Sequence, residues 1–123
     1  MLKSIFAEYF LIVKSHIWEK NTMKTYYTYI LTNFSKRSLY VGVTNNLGAR
    51  LGEHYANKDN PFSWAGKYKC FYLIYYEQFD NINNAIAREK EIKKWRREKK
   101  EKLIATKNPN WAFMNDRFPY KSR

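Results

Sequence analysis

Two runs rich in strand-forming residues lie close together in the chain: KTYYTYIL, from Lys24 to Leu31, and LYVGVT, from Leu39 to Thr44. Tyr, Thr, Ile and Val favour the pleated backbone. The intervening TNFSKRS is short and polar, so the two runs form a hairpin. Successive side chains of a strand point to opposite faces. Tyr27, Tyr29 and Leu31 therefore share one face of the first strand, while Leu39, Val41 and Val43 oppose Tyr40, Gly42 and Thr44 on the second. In a register with an odd residue sum, such as Tyr29 opposite Tyr40 or Gly42, both tyrosines point the same way; an even register separates them.

Asn45 or Asn46 then caps a short amphipathic helix, LGARLGEHY, with Leu47, Leu51 and Tyr55 at a spacing of four. At about 100° per residue, Arg50 and His54 fall on the side of Leu47 and Leu51. An inward or edge-facing Arg and His need partners. ANKDNPFSWAGK reads as a loop, whose Phe62 and Trp64 either stack on something or cover the core. CFYLIYYEQF reads as a third, buried strand, central or long, with Cys70 a small buried strand residue. The stretch from Asp80 to Lys107 opens with an Asp/Asn cap and reads as one long helix ending before Pro109.

On that helix Ile82, Ala85, Ile86, Ile92 and Leu103 define an apolar stripe, with Glu89 in its middle. A carboxylate there is expensive unless something neutralises it. Either an i,i+4 pair with Lys93 or a divalent metal would do so. From Arg88 to Lys107 the same segment carries ten Lys or Arg against four Glu, net +6. Lys93, Lys94, Arg96, Arg97, Lys99 and Lys100 form either a solvated face or a field that tracks a phosphate backbone.

At 123 residues the chain is expected to bury a single core. Its 23 Lys and Arg against 11 Asp and Glu give a formal charge of +12, which points to a polyanionic partner, with nucleic acid the leading candidate. The single cysteine cannot form an internal disulfide, and a reducing, cytoplasmic setting is expected. Ile5 to Val13 is apolar but interrupted by Glu8, and far short of the about 20 residues of a membrane span. Residues 1–22 are read as a helical or disordered extension ahead of a domain over 23–118, with Met23 an alternative start and 119–123 a basic tail.

These segments resemble a small single-domain GIY-YIG endonuclease and, more distantly, the N-terminal nuclease domain of a bacterial excision-repair enzyme. YTY (Tyr27 to Tyr29) matches the first signature and YVG (Tyr40 to Gly42) the second. TNNLGARLGEH, LIYYE and AIAREKEIKKW match the helix, strand and glutamate-bearing helix that follow. The first signature has Tyr27 where the family has Gly. The resemblance implies an α+β fold, a three-stranded antiparallel sheet flanked by helices, and a phosphodiester hydrolase using one divalent metal, Mg²⁺ or Mn²⁺. It implies that Tyr29 activates the attacking water, with Arg50 and His54 as helpers. Tyr40 would position water or phosphate, Arg50 would neutralise charge on the phosphate oxygens, and Glu89 would hold the metal. Gly42, Tyr27 and Asn110, or Asn108 in its place, would support the site.

The expected activity is metal-dependent DNA endonuclease, in repair or processing of branched or foreign DNA. The competitor is a non-catalytic nucleic-acid-binding module of the same fold. Nothing in the residues separates RNA from DNA or sets the oligomeric state.

Overall fold

Pairing in both directions from one strand organises the molecule. The structure, a computed structural model, describes residues 24–60, 62 and 64–119; the expected extension over 1–22 and all but the first residue of the basic tail lie outside them. Strands β1 (Tyr26–Thr32), β2 (Leu39–Thr44) and β3 (Tyr72–Phe79) form an antiparallel sheet in the order β2-β1-β3. The hairpin strand β1 is thus central; β3, the longest at 8 residues, lies at an edge. The register sets Tyr29 opposite Gly42 and Leu31 opposite Tyr40, an odd sum, so Tyr29 and Tyr40 share a face.

A bulge on the other side of β1 matters equally. Ile30 faces Tyr75 but Leu31 faces Leu73, which leaves Ile74 as an extra residue in β3. The inserted residue flips the alternation, so that Leu73 joins the Tyr29 face and Tyr75 the opposite one.

On the Tyr29 face, Tyr29, Leu31, Tyr40 and Leu73 pack with Leu47 and Leu51 of helix α1 (Leu47–Ala56), and with Cys70 and Met114. A short helix, α2 (Trp64–Tyr68), connects α1 to β3. On the opposite face, Tyr26 and Val43 meet Ile82 and Ala85 of α3 (Ile82–Lys93). Ile30, Val41, Ile74 and Tyr75 meet Ile92 of α3 and Ile104 of α4 (Arg97–Lys107). Thr28 fastens this layer by donating its hydroxyl to the Ala85 carbonyl at 2.7 Å. A single 3₁₀ turn, Asn115–Arg117, closes the described chain.

Four sequence expectations need correction, the first being that the stretch read as a loop up to Lys67 is helical from Trp64. The segment read as one long helix is two, because Arg96 adopts an extended conformation (φ −68°, ψ 158°) between α3 and α4. A straight helix would carry Ile104 about 120° round from Ile92. The break returns Ile104 fully buried to the sheet, with Leu103 and Trp95 partly buried against the same cluster. Arg97 holds the new direction by donating to the carbonyls of Lys36, at 2.8 Å, and Arg37. Cys70 is fully buried, as expected, but precedes β3 rather than lying in it. Tyr55, expected on the apolar side of α1, is 59% exposed, because eight residues overshoot two turns by about 80°. His54, seven residues from Leu47, takes the buried place.

Candidate active site

The β1–β2 register creates a notch opposite Tyr29. Gly42 has no side chain, and a Cβ built there would lie 2.4 Å from both Cζ and the hydroxyl of Tyr29. The phenol thus lies across the position a side chain would occupy, which only glycine allows. Tyr40, two residues earlier in β2, brings its ring to 6.3 Å from that of Tyr29.

Helix α1 delivers the polar partners. Asn46 caps it by accepting from the Ala49 amide at 3.1 Å, and Thr44 Oγ1 accepts from the Asn46 amide at 3.1 Å. This anchors the first turn to the end of β2. One turn on, Arg50 Nε donates to the Tyr29 hydroxyl at 3.4 Å. Another turn on, His54 Nε2 lies 3.1 Å from the same hydroxyl. The His54 ring meets Tyr40 edge-on at 5.1 Å and Tyr29 at 6.1 Å. Arg50 is held in turn by Glu53, whose Oε2 accepts from Nη1 at 2.7 Å.

Burial and the neighbouring Arg50 charge push His54 down to about 3, so the imidazole is neutral near pH 7. A guanidinium can only donate. The assignment that serves both contacts has the Tyr29 oxygen accepting from Arg50 and its proton donated to His54 Nε2, with the imidazole proton on Nδ1. A phenol between a fixed cation and a neutral base is disposed to share its proton.

Glu89 belongs to the other layer. It is 1% exposed, in the buried stripe of Ile82, Ala85 and Ile92, and its Oε1 lies 2.5 Å from Lys93 Nζ. The i,i+4 pair is therefore formed. Among the described residues no group of three or more His, Cys, Asp or Glu side chains converges to hold a metal. A lone carboxylate does not fit an ion held by protein ligands alone. An ion shared with a substrate phosphate needs only one or two carboxylates, but to reach Glu89 it would have to displace Lys93 from this buried carboxylate.

The remaining candidates separate. Lys94, Arg96 and Lys99 are exposed. Arg97 is engaged with the β1–β2 turn and with Glu101, Lys93 with Glu89, and Lys99 sits 4.4 Å from the Trp95 ring. Lys100 is held below the usual lysine range by burial, then by Arg97 and Lys93. Tyr27 is half-buried, edge-on to Tyr76 and Phe118. Asn110 lies in an exposed turn, whereas Asn108 is buried and donates to the carbonyls of Ile74 at 2.8 Å and Ala112 at 2.9 Å. Phe62 is 92% exposed. Sequence reasoning missed Asn115, which accepts from the Leu73 amide and donates to the Phe71 carbonyl, and the Glu77–Arg88 pair at 3.0 Å. Asn115 carried no periodic or motif signal; Glu77 and Arg88 lie within LIYYE and AIAREKEIKKW, but nothing in their spacing pairs them.

Comparison with known proteins locates the same region. The GIY-YIG catalytic domain family model matches residues 25–102. A UPF0213 protein of Staphylococcus haemolyticus is 35% identical over 82 residues, 67% of this chain and 96% of the relative. One of Natronomonas pharaonis is 36% identical over 80 residues, 65% of this chain and 91% of its own length. The solution NMR structure of a UPF0213 protein from Bacillus halodurans matches at 28% identity with a TM-score of 0.46, covering 71% of this chain and 89% of that one. No helix among the described residues is long and apolar enough to cross a membrane.

Proposed function

Because the chain belongs to the GIY-YIG family, we propose that it is a metal-dependent endonuclease that hydrolyses phosphodiester bonds in DNA, with Tyr29 at its reacting centre. The observation that carries this is the Tyr29 hydroxyl held jointly by Arg50 and His54 over the Gly42 notch. A buried phenol contacted by a guanidinium and an imidazole is more than packing needs, since a Phe would fill the same space.

In hydrolysis a water oxygen forms a bond to phosphorus while a sugar oxygen leaves. Tyr29 accepts the water proton as its own passes to His54 Nε2, which, being weakly basic, releases it at once to solvent. The departing sugar oxygen takes up a proton from solvent, and Arg50 N–H stabilises negative charge on the phenolic oxygen during the transfer. His54, with its depressed basicity, orients the hydroxyl more than it stores a proton. Tyr40, packed on both rings, fixes their orientation. Glu89 is the residue that would hold Mg²⁺ or Mn²⁺, which when bound offsets phosphate charge. Lys93 is its partner otherwise. The exposed Lys94, Arg96 and Lys99 supply a field for the phosphate backbone, and the assignment to DNA repair or processing rests on substrate class alone.

The Glu89–Lys93 pair favours a second reading, a nucleic-acid-binding module that does not cleave. One experiment separates them: incubation with nicked, flapped, branched and plain duplex DNAs and matching RNAs, with and without Mg²⁺. Metal-dependent cleavage of any DNA supports the nuclease; tight binding with no cleavage of any substrate leaves the module.

A further inference from the structure

Away from the Tyr29 cluster, aromatic side chains form a continuous ribbon. Tyr55 of α1 meets Phe71 at 5.9 Å, and Phe71 meets Tyr72 at 6.1 Å. Tyr72 stacks on Phe113 at 4.3 Å with 20° between the planes. Phe34, in the β1–β2 turn, touches both at 6.1 and 6.2 Å. Rings that only complete a core are covered, yet Phe34 is 76% and Tyr55 59% exposed. A groove of about 490 Å³ runs between α1 and the Phe113 segment, floored by the middle of this ribbon.

Cations sit at both ends. Lys58 Nζ lies 4.8 Å from the Tyr55 ring and Lys36 Nζ 5.3 Å from the Phe113 ring. The ends also lead somewhere. Tyr55 follows His54 on the helix that carries Arg50, and the Lys36 carbonyl accepts from Arg97, the first residue of basic α4. The ribbon therefore joins the helix of the candidate site to the basic helix on the other face. Asp116 lines the groove, which suits a neutral base there and phosphates at the lysine-bearing ends.

We propose that the ribbon from Tyr55 to Phe34 is a stacking platform for the unpaired bases of a single-stranded nucleic acid, whose phosphates Lys58 and Lys36 hold at its two ends. Every base has a π-face, so aromatic planes interleaved with cations bind strands with little regard to sequence. Duplex bases already stack on one another and gain nothing from it. The inference deepens the nuclease reading and rests on it for the identity of the polymer: an unpaired stretch is held beside the helix bearing Arg50 and His54.

The test is fluorescence anisotropy in EDTA with labelled oligo-dT, oligo-U and a blunt duplex of equal length. Phe34→Ala and Tyr55→Ala, both at exposed positions, should leave thermal unfolding unchanged. Their combination should raise the single-strand Kd about tenfold or more and leave the duplex Kd unmoved, with Phe34→Trp retaining parental affinity. Because oligo-dT and oligo-U differ in the 5-methyl group as well as the sugar, oligo-dU is measured beside them, and tighter binding of oligo-dU or of oligo-U assigns the sugar. Unchanged single-strand affinity, or equal weakening toward duplex, overturns the platform. So does sedimentation in which the parent self-associates, the double variant is monomeric and strand affinity stays parental, which makes the ribbon a face between copies. Cleavage in Mg²⁺ is read separately: cleavage without strand binding through the ribbon refutes only this inference, and strand binding without cleavage refutes only the nuclease.

Discussion

Replacing Gly42 by Ala tests whether the site's geometry is built on a missing side chain. Gly42 has no positive φ, so nothing in its backbone demands glycine. At an unstrained strand position the change would stabilise the fold by about 0.4–1 kcal/mol through the unfolded chain. Here the added methyl would lie 2.4 Å from Tyr29 Cζ and its hydroxyl, against 3.4 Å for ordinary contact, so the ring must yield by the difference, 1.0 Å. Overpacking of that kind costs about 1–3 kcal/mol. Moving the hydroxyl that far also breaks the 3.1 Å contact to His54 and the 3.4 Å one from Arg50, at about 0.5–1.5 kcal/mol each. With the unfolded-chain gain subtracted, the expected net is about 1–5 kcal/mol of destabilisation. In urea, at a slope of about 2 kcal/mol per molar, the unfolding midpoint should fall by about 0.5–2.5 M. In a Tyr29→Leu background, where no ring fills the notch, Gly42→Ala should cost far less. A midpoint that stays or rises in the parent would refute the notch.

His54 should shape acid stability. Its folded value near 3 lies below the ordinary 6.5, so the unfolded chain takes up a proton that the folded chain refuses. Stability is then full above pH 6.5 and falls with acid by up to about 1.4 kcal/mol per pH unit, and His54→Gln should flatten denaturation midpoints between pH 6.5 and 5; an unflattened slope would show that His54 is not held neutral. Glu89→Gln should abolish Mg²⁺-dependent cleavage and leave DNA binding within twofold, by gel assay and anisotropy; parental cleavage removes the metal role. Changing Lys94, Arg96 and Lys99 together to Gln should weaken DNA binding and lower the slope of log K against log salt by about 1 per lost phosphate contact. A parental slope would take this surface out of the interface.

The hairpin and its consequences were legible because period two is unambiguous in KTYYTYIL and LYVGVT, and an odd register was enough to put Tyr29 and Tyr40 on one face. The inward tilt of Arg50 and His54 was likewise carried by helical angle alone. What alternation could not reveal was the bulge at Ile74, which depends on pairing with β1 and puts Leu73 and Tyr75 on opposite faces. The break at Arg96 has no Gly or Pro to announce it. It follows from tertiary demands, namely Ile104 reaching the sheet and Arg97 reaching the β1–β2 turn, and these override continuous helix-forming sequence. For Glu89, spacing offered Lys93 and metal alike, and the structure contains the Lys93 pair. The aromatic ribbon draws Tyr55, Phe71, Tyr72, Phe113 and Phe34 from distant parts of the chain, so no local pattern contained it.

The proposed chemistry depends on the Tyr29 hydroxyl, and Tyr29→Phe removes that one oxygen while keeping the ring in the Gly42 notch. The decisive measurement is the single-turnover cleavage rate of this variant with Mg²⁺, on whichever DNA the parent cuts. A rate at least a hundredfold below the parent, with DNA affinity unchanged, is what a hydroxyl that moves the water's proton requires; the expected loss is about 10²–10⁴. Cleavage at the parental rate would mean that the phenol only fills space.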